Sequence, residues 1–249
     1  MGSGFRDDFL YHVRKRVVSL TQGERPATLL HKGHLHVRKL LCFVFVMIAA
    51  QVAPAGHAAD RPTRILALGD SLTAGYGLTD LKQSFPAQLE AALKSKGLDV
   101  VVIQGGVSGD TSTGGRSRIE WALGEKPDAV IVALGGNDAL RAVDPAVTLE
   151  AMDAIVKRIK KDNLPVLVAG MFAPPNLGKE YGTRFAASFS KTAKDNDALF
   201  YPFFLEGVAG VPTLNQPDRI HPNPEGVKVM VKGILPMVEK LVAQAQGAK

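Results

Sequence analysis

Residues 64–77 read RILALGDSLTAGYG, an apolar run that leads directly into two polar residues. The run 64–69 is apolar at nearly every position, which predicts a strand that is buried on both faces. Asp70 and Ser71 follow at once, in a glycine-rich stretch that predicts a tight turn. The two residues have two interpretations. They cap a following helix, or Ser71 is a nucleophile that needs a base and oxyanion donors elsewhere in the chain.

Short apolar runs and longer amphipathic runs alternate through the rest of the chain. The further predicted strands are 99–106, 128–136, 164–171 and a short one within 198–204, and the predicted helices are 85–97, one within 112–126, 148–163, 184–197 and 224–245. Buried strands separated by helices predict an α/β fold, in which helices cover both faces of a parallel five-stranded sheet. The last helix contains Pro236, where we expect a bend.

Polar, glycine-rich segments follow the first three predicted strands. The first strand ends in Gly-Asp-Ser, the second runs into GGVSGDTS (105–112) and the third into GGND (135–138). The carboxyl ends of parallel strands lie at one edge of the sheet, where α/β proteins bind their ligands. We therefore expect the three segments to form one site.

A candidate base lies near the C-terminus. His221 is the only histidine in residues 60–249, and it stands in PDRIHPNPEG (217–226), three residues after Asp218. In a serine hydrolase an aspartate orients the histidine, and the histidine accepts the proton of the serine. The alternative is that His221 only caps the final helix.

Acyl transfer also needs hydrogen-bond donors for the developing oxyanion. Candidates are the backbone N–H of Ser71, the glycines after the second strand and the side chain of Asn137. GGND could instead be a plain turn, and the glycines could hold a phosphate. No G-x-x-x-x-G-K-[ST] or G-x-G-x-x-G motif is present, which argues against a nucleotide. The sequence has no histidine and cysteine cluster for a metal.

Four blocks together resemble one known family. LGDSLTAGYG (68–77), GGVSGDTS, LGGND (134–138) and DRIHPN (218–223) occur in the order found in the SGNH (GDSL) hydrolase superfamily. The resemblance to its bacterial periplasmic thioesterase, lysophospholipase and arylesterase subgroup is close. It spans the chain from about Arg64 to the C-terminus and implies a flavodoxin-like three-layer αβα sandwich with strand order 2-1-3-4-5.

The resemblance also implies roles for particular residues. Ser71 matches the nucleophile of the family, and Asp218 and His221 match the other two members of its triad. The backbone N–H groups of Ser71 and Gly109 and the side chain of Asn137 match the oxyanion donors. The implied reaction uses no cofactor and no metal.

The implied function is hydrolysis of carboxylic ester or thioester bonds through an acyl-enzyme. Substrates would be acyl esters, aryl esters, acyl-CoA-type thioesters or lysophospholipids. A carbohydrate acetylesterase on the same fold is the alternative enzyme. A binding domain without catalysis would tolerate Ser71→Ala.

Loops after the third and fourth strands contain the candidate substrate contacts. Leu140, Phe172, Pro174 and Tyr181, with Pro175, would line an acyl groove, or they only pack the loops. Asp138 and Arg141 would contact a head group, or they pair on the surface. Trp121 is expected in the core, beside Ile119 and Leu123.

Residues 1–59 are predicted to be an N-terminal extension plus a signal peptide, and residues 60–249 the hydrolase domain. Arg38 and Lys39 precede an apolar run, which is followed by small residues, and this is the layout of a secretory signal. An uncleaved anchor is the alternative. The extension before the run is unusual, so we expect translation to start near Val37. These features predict a periplasmic or secreted protein without a stable membrane span after cleavage.

The charge of the chain is concentrated in the same leader. The whole chain has 30 Lys and Arg against 24 Asp and Glu, a net charge of +6. Residues 1–59 contain eight basic and three acidic residues, which leaves 22 and 21 in residues 60–249. That balance, without a basic stripe, argues against a nucleic-acid partner. The single cysteine, Cys42, lies in the leader, so the predicted domain has no disulfide.

Overall fold

The computed structural model describes residues 61–248. The predicted extension and signal peptide, residues 1–59, lie outside the described residues, so their assignment stays a prediction.

One parallel sheet organises the described chain. Its order is β2-β1-β3-β4-β5, which confirms the predicted sheet and its implied strand order. The strands are β1 Thr63–Gly69, β2 Val100–Gly106, β3 Ala129–Ala133, β4 Val166–Ala169 and β5 Leu199–Tyr201. Residues 65–68 of β1 are almost fully buried, as expected for a central strand covered on both faces.

Helices pack on the sheet in two groups. The helices are α1 Ser71–Ala74, α2 Phe85–Ser95, α3 Ser112–Leu123, α4 Gly136–Leu140, α5 Pro145–Lys161, α6 Lys179–Asp195 and α7 Pro224–Gly247. On one face α2 packs against α7, and on the other α3 and α6 both pack against α5. The result is the expected three-layer αβα sandwich. Helix α7 continues through Pro236 without ending there.

The structure differs from the predicted elements where a short helix begins at a strand exit. The predicted strand 128–136 ends at Ala133, because Gly136 already belongs to α4. Helix α1 was also not predicted. Helix α6 begins at Lys179 rather than at residue 184, after Gly178, whose φ of +85° turns the chain into the helix.

The expectation that Trp121 is a core residue was wrong. Its side chain is 72% exposed, whereas Ile119, Ala122 and Leu123 are buried. A helix advances about 100° per residue, so a residue two positions after Ile119 points to the opposite side of α3. Trp121 therefore lies on the solvent face.

The sheet order places a crevice at the carboxyl end of β1. Strand β1 pairs with β2 on one side and with β3 on the other, so the chain changes direction across the sheet at β1. Ligands of doubly wound folds bind at such a switch point. The segments that follow β1, β2 and β3 are the three polar, glycine-rich segments of the sequence.

Candidate active site

In the turn after β1, the two neighbouring polar residues have different roles: one caps helix α1, and the other is the first residue of that helix. Asp70 is the N-cap, and its Oδ1 accepts a hydrogen bond from the backbone N–H of Leu72 at 3.0 Å. Ser71 is the first residue of α1 and does not cap it. A glycine at position 106 makes room for this short helix, because a Cβ there would lie 2.4 Å from the backbone nitrogen of Ala74.

Ser71, His221 and Asp218 form a chain of hydrogen bonds. Ser71 Oγ lies 2.9 Å from His221 Nε2, and His221 Nδ1 lies 2.7 Å from Asp218 Oδ2. The tautomer with its proton on Nδ1 satisfies both contacts, because Nδ1–H donates to Asp218 and Nε2 accepts from the serine hydroxyl. The structure thus brings together the three residues that the sequence singled out.

The carboxylate of Asp218 is held ionised. Its Oδ1 accepts hydrogen bonds from the backbone N–H groups of His221 at 3.0 Å and Ile220 at 2.9 Å. The bond from the backbone of His221 is the largest cause that lowers the pKa of Asp218, to about 2. Asp218 therefore stays charged at neutral pH, where it can orient and stabilise a protonated imidazole.

The loop that carries His221 is tied to the nucleophile loop by Gln216. Its side-chain nitrogen donates to the backbone oxygens of Tyr76 at 2.7 Å and Pro222 at 3.0 Å. The ring of Tyr76 lies against the imidazole, with 4.7 Å between the ring centres. The cap of α7 is Asn223, whose Oδ1 accepts from two backbone N–H groups of the first turn. His221 is therefore not a helix cap.

Three candidate oxyanion donors lie at the same crevice. Gly109 has a φ of +87°, which favours glycine, and its N–H has no hydrogen-bond acceptor within the described part of the chain. The N–H of Ser71 is equally without an acceptor among residues 61–248. Asn137 Nδ2 donates to the backbone oxygen of Asp110 at 2.9 Å and lies 3.4 Å from Asp70 Oδ2.

Asp70 is a buried carboxyl group between the nucleophile and Asn137. Its side chain is 1% exposed. Burial is the main cause that raises the pKa of Asp70 to about 6, and the hydrogen bond from Leu72 and the charge of His221 act in the opposite direction. Near neutral pH the site therefore contains a carboxylate with little solvation.

A cavity of about 480 Å³ opens onto these groups. Ser71, Gly109, Asn137 and His221 line it. Its remaining surface is mainly apolar, and we call the following residues the apolar wall: Leu140, Met171, Phe172, Pro174, Leu205 and Ile220. Several of them are partly open to solvent, including Leu140 at 58% and Phe172 at 50% exposure.

The predicted acyl-groove residues divide into two groups. Leu140, Phe172 and Pro174 line the cavity, whereas Tyr181 and Pro175 do not. The hydroxyl of Tyr181 donates to the backbone oxygen of Val143 at 2.8 Å, and its ring stacks on a buried phenylalanine of the same helix, α6. Because α6 begins earlier than predicted, Tyr181 is a packing residue of that helix.

The interpretations of Asp138 as a head-group contact or a surface ion pair were both wrong. Asp138 is fully buried and accepts hydrogen bonds from the backbone and hydroxyl of Ser112 and from the hydroxyl of Thr148. It joins α4 to the starts of α3 and α5. Arg141 is exposed and donates to the backbone oxygen of Gly109 at 3.0 Å.

Several residues of the site were not predicted from the sequence. Tyr76 lies within the first motif, and Ile220 lies between Asp218 and His221, so both were adjacent to predicted residues. Met171 and Leu205 gave no signal, because an apolar residue after a strand has the same pattern whether it lines a cavity or a core. No group of acidic, histidine or cysteine side chains within residues 61–248 could hold a metal ion. Every helix in that range is too short or too polar to cross a bilayer.

Comparison with protein families agrees with this site. Residues 67–229 match the GDSL-like Lipase/Acylhydrolase family, a segment that contains the four sequence blocks. The chain belongs to this family.

Three relatives of known name are an esterase, an arylesterase and a thioesterase/lysophospholipase. Esterase TesA of Pseudomonas aeruginosa is 33% identical over 202 residues, which cover 81% of this chain and 96% of the relative. An arylesterase of Vibrio mimicus is 37% identical, over 68% of this chain and 84% of the relative. The thioesterase 1/protease 1/lysophospholipase L1 of Escherichia coli K12 is 35% identical, over 72% of this chain and 84% of the relative.

The solved structures that this chain resembles also include esterases of the SGNH-hydrolase family. A crystal structure of TesA superposes with a TM-score of 0.68 at 35% identity and covers 72% of this chain and 99% of its own. AlinE4, an SGNH-hydrolase family esterase, superposes with a TM-score of 0.62 at 43% identity, over 74% of this chain and 98% of its own. The protein is an SGNH serine hydrolase that acts on esters, and the carbohydrate acetylesterase alternative is not favoured.

Proposed function

We propose that the protein hydrolyses acyl esters and thioesters, with Ser71 as nucleophile, His221 as general base and Asp218 as the group that orients His221. The observation that carries this assignment is the continuous path from Ser71 Oγ to His221 Nε2 at 2.9 Å and from His221 Nδ1 to Asp218 at 2.7 Å. Distances of this size are within hydrogen-bond reach, the requirement for proton transfer between a nucleophile and its base.

In the first half-reaction Ser71 Oγ attacks the substrate carbonyl carbon and its proton moves to His221 Nε2. The negative charge that develops on the carbonyl oxygen is accepted by the N–H groups of Ser71 and Gly109 and by Asn137 Nδ2–H. The oxyanion then takes the place of Asp70 Oδ2, from which Asn137 Nδ2 lies 3.4 Å away, as a hydrogen-bond acceptor for Asn137. His221 then protonates the leaving alcohol or thiol, and an ester between Ser71 and the acyl group remains.

The second half-reaction repeats the chemistry with water. His221 accepts a proton from water as its oxygen attacks the acyl-enzyme carbonyl, and the same three donors hold the second oxyanion. Collapse of this intermediate returns the proton to Ser71 Oγ and releases the carboxylic acid. No step requires a metal or a cofactor.

The apolar wall supports an acyl or aryl group as the bound part of the substrate. A cavity of about 480 Å³ with a mostly apolar lining suits a short- to medium-length acyl chain. The relatives named arylesterase and thioesterase/lysophospholipase favour aryl esters, acyl-CoA-type thioesters and lysophospholipids as candidate classes.

We also propose that residues 60–249 are the catalytic domain and that residues 1–59 direct it out of the cytoplasm, to the periplasm or medium. The basic start, apolar run and small residues at 38–59 support this assignment. N-terminal sequencing of the protein recovered from the periplasm tests it, with cleavage near residue 59 as the expected result. A cytoplasmic protein that keeps residues 38–59 would contradict it.

Hydrolysis of p-nitrophenyl esters from acetyl to decanoyl tests the function, with Ser71→Ala as the blank. We expect kcat/KM to peak between butyryl and octanoyl and to be lost in Ser71→Ala. Activity confined to acetyl esters would favour a carbohydrate acetylesterase. Full activity of Ser71→Ala would refute the mechanism.

A further inference from the structure

The three proposed oxyanion donors come from three separate segments of the chain. Ser71 follows β1, Gly109 lies in the loop after β2, and Asn137 lies in α4 after β3. An oxyanion hole works only when its donors are held at fixed distances from the reacting carbonyl. The strand ladders end at Gly69, Gly106 and Ala133, so the donors themselves lie beyond the sheet.

One side chain, on the helix that directly follows the Gly109 loop, links the segments that carry Ser71 and Gly109. Arg118, on α3, donates through Nη2 to the backbone oxygen of Gly69 at 2.8 Å, two residues before the nucleophile. Through Nε it donates to Asp110 Oδ2 at 2.5 Å, directly after Gly109. The backbone oxygen of Asp110 in turn accepts from Asn137 Nδ2. Arg118 therefore contacts two donor segments directly and the third through one residue.

Arg118 and its partner Asp110 are mostly buried, in a space that the neighbouring residues leave open for them. The side chains of Arg118 and Asp110 are only 16% and 18% exposed. Arg118 Nη1 is buried and has no hydrogen-bond partner within the described residues. Gly114 leaves room for the carboxylate, since a Cβ there would lie 2.6 Å from Asp110 Oδ1. A mostly buried cation with an unused donor is costly, and such costs are typical of functional sites.

We propose that Arg118 is a positioning residue, which sets the spacing between Ser71 and the oxyanion donors Gly109 and Asn137. This role depends on the proposed function, because it acts through those three groups. A guanidinium can hold the backbone oxygen of Gly69 and the carboxylate of Asp110 at the same time. A lysine ammonium, a single point on a flexible chain, can hold only one of them well.

The test compares variants at two arginines of α3. Arg118→Met and Arg118→Lys remove or reduce the proposed link. Arg116→Met and Arg116→Lys are the controls, because Arg116 lies on the same helix and forms an exposed ion pair with Glu150. We expect kcat to fall about 100-fold in Arg118→Met and about tenfold in Arg118→Lys, with KM changed less than threefold. The Arg116 variants should match wild type.

Asp110→Asn completes a double-mutant cycle. If Arg118 acts through Asp110, the effect of Arg118→Met on kcat should be at least fivefold smaller in the Asp110→Asn background than in wild type. Equal effects in the two backgrounds would overturn the link through Asp110. All rates are corrected for the folded fraction, measured by circular dichroism at the assay temperature.

Two failures are distinguishable. If Ser71→Ala is inactive but folded Arg118→Lys and Arg118→Met keep kcat within twofold of wild type, the positioning role is wrong and the proposed function stands. A rise in KM alone, or a loss of rate that the folded fraction accounts for, also overturns the positioning role. If Ser71→Ala retains activity, the proposed function itself fails.

Discussion

Two regions around the cavity are held in different ways. The polar edge, defined as Ser71, Gly109, Asn137, Asp218 and His221, is fixed by directional hydrogen bonds, such as the 2.7 Å bond between His221 and Asp218. The apolar wall has no such bonds between its side chains and relies on packing, as in the stacking of Phe172 on Phe203.

This difference between directional hydrogen bonds and apolar packing explains why the residues of the polar edge are easier to predict from the sequence than those of the apolar wall. A hydrogen bond of defined direction requires one residue type at one position, so it leaves a motif. Apolar contact accepts many residue types of similar volume, so it leaves only a general preference. We expect the polar edge to carry out the chemical steps and the apolar wall to select the acyl group.

The largest effect is expected at His221. His221→Gln keeps a polar side chain of similar size but removes the base, so kcat/KM should fall on the order of 10⁴-fold. Steady-state hydrolysis of p-nitrophenyl butyrate measures it. A fall of less than tenfold would mean that another group accepts the proton of Ser71.

The second-largest loss of activity is expected for a substitution at Asn137. Asn137→Ala removes one oxyanion donor, which lowers kcat about 10²- to 10³-fold and leaves KM nearly unchanged, because the donor acts mainly in the transition state. The kcat and KM values for p-nitrophenyl butyrate separate the two effects. A rise in KM with unchanged kcat would place Asn137 in substrate binding instead.

The sequence was sufficient for the polar edge because three blocks lie at the ends of strands whose burial pattern is plain, and the fourth contains the only histidine of residues 60–249. The order of the sheet came from the family resemblance, since alternation alone does not order parallel strands. Trp121 was misplaced because tryptophan is highly buried on average, although the helical period puts it on the side of α3 opposite Ile119. Tyr181 was misplaced because its role depends on where α6 begins, which carries no local signal. Arg118 was missed because a helical arginine has the same sequence pattern whether it faces solvent or reaches a buried partner, and its partner Gly69 lies 49 residues earlier in the chain.

Asp70 should give an effect of intermediate size, on stability. Its pKa is about 6 in the folded chain and about 4 in an unfolded one. Between these values the folded state binds more protons, so the free energy of unfolding decreases as pH rises from 4 to above 6. Because asparagine does not titrate, the Asp70→Asn variant does not show this decrease in the free energy of unfolding. Its free energy of unfolding relative to wild type should therefore rise by about 2–3 kcal/mol between pH 4 and 7.5.

Urea unfolding of both proteins at a series of pH values measures this difference. Asparagine is an equally good helix N-cap, so the hydrogen bond to Leu72 is retained in the variant. A difference that does not change with pH would show that Asp70 does not titrate in this range.

The smallest effect is expected at the apolar wall. Phe172→Ala should lower kcat/KM for octanoyl esters about tenfold relative to acetyl esters, because part of the apolar contact with the longer chain is lost. Tyr181→Phe is the matched control. It removes the bond to Val143 and about 1 kcal/mol of stability, but it should leave the chain-length profile unchanged. A changed profile in Tyr181→Phe, with none in Phe172→Ala, would reverse the assignment of the wall.

The most direct test of the polar edge is covalent labelling of the nucleophile. A p-nitrophenyl alkylphosphonate reacts with activated serines, and mass spectrometry of the digested protein locates the adduct. We predict one adduct per chain, on Ser71, with loss of activity in proportion to labelling and a much slower reaction in His221→Gln. Complete inactivation with the adduct on another residue, or equal labelling rates in wild type and His221→Gln, would contradict the account.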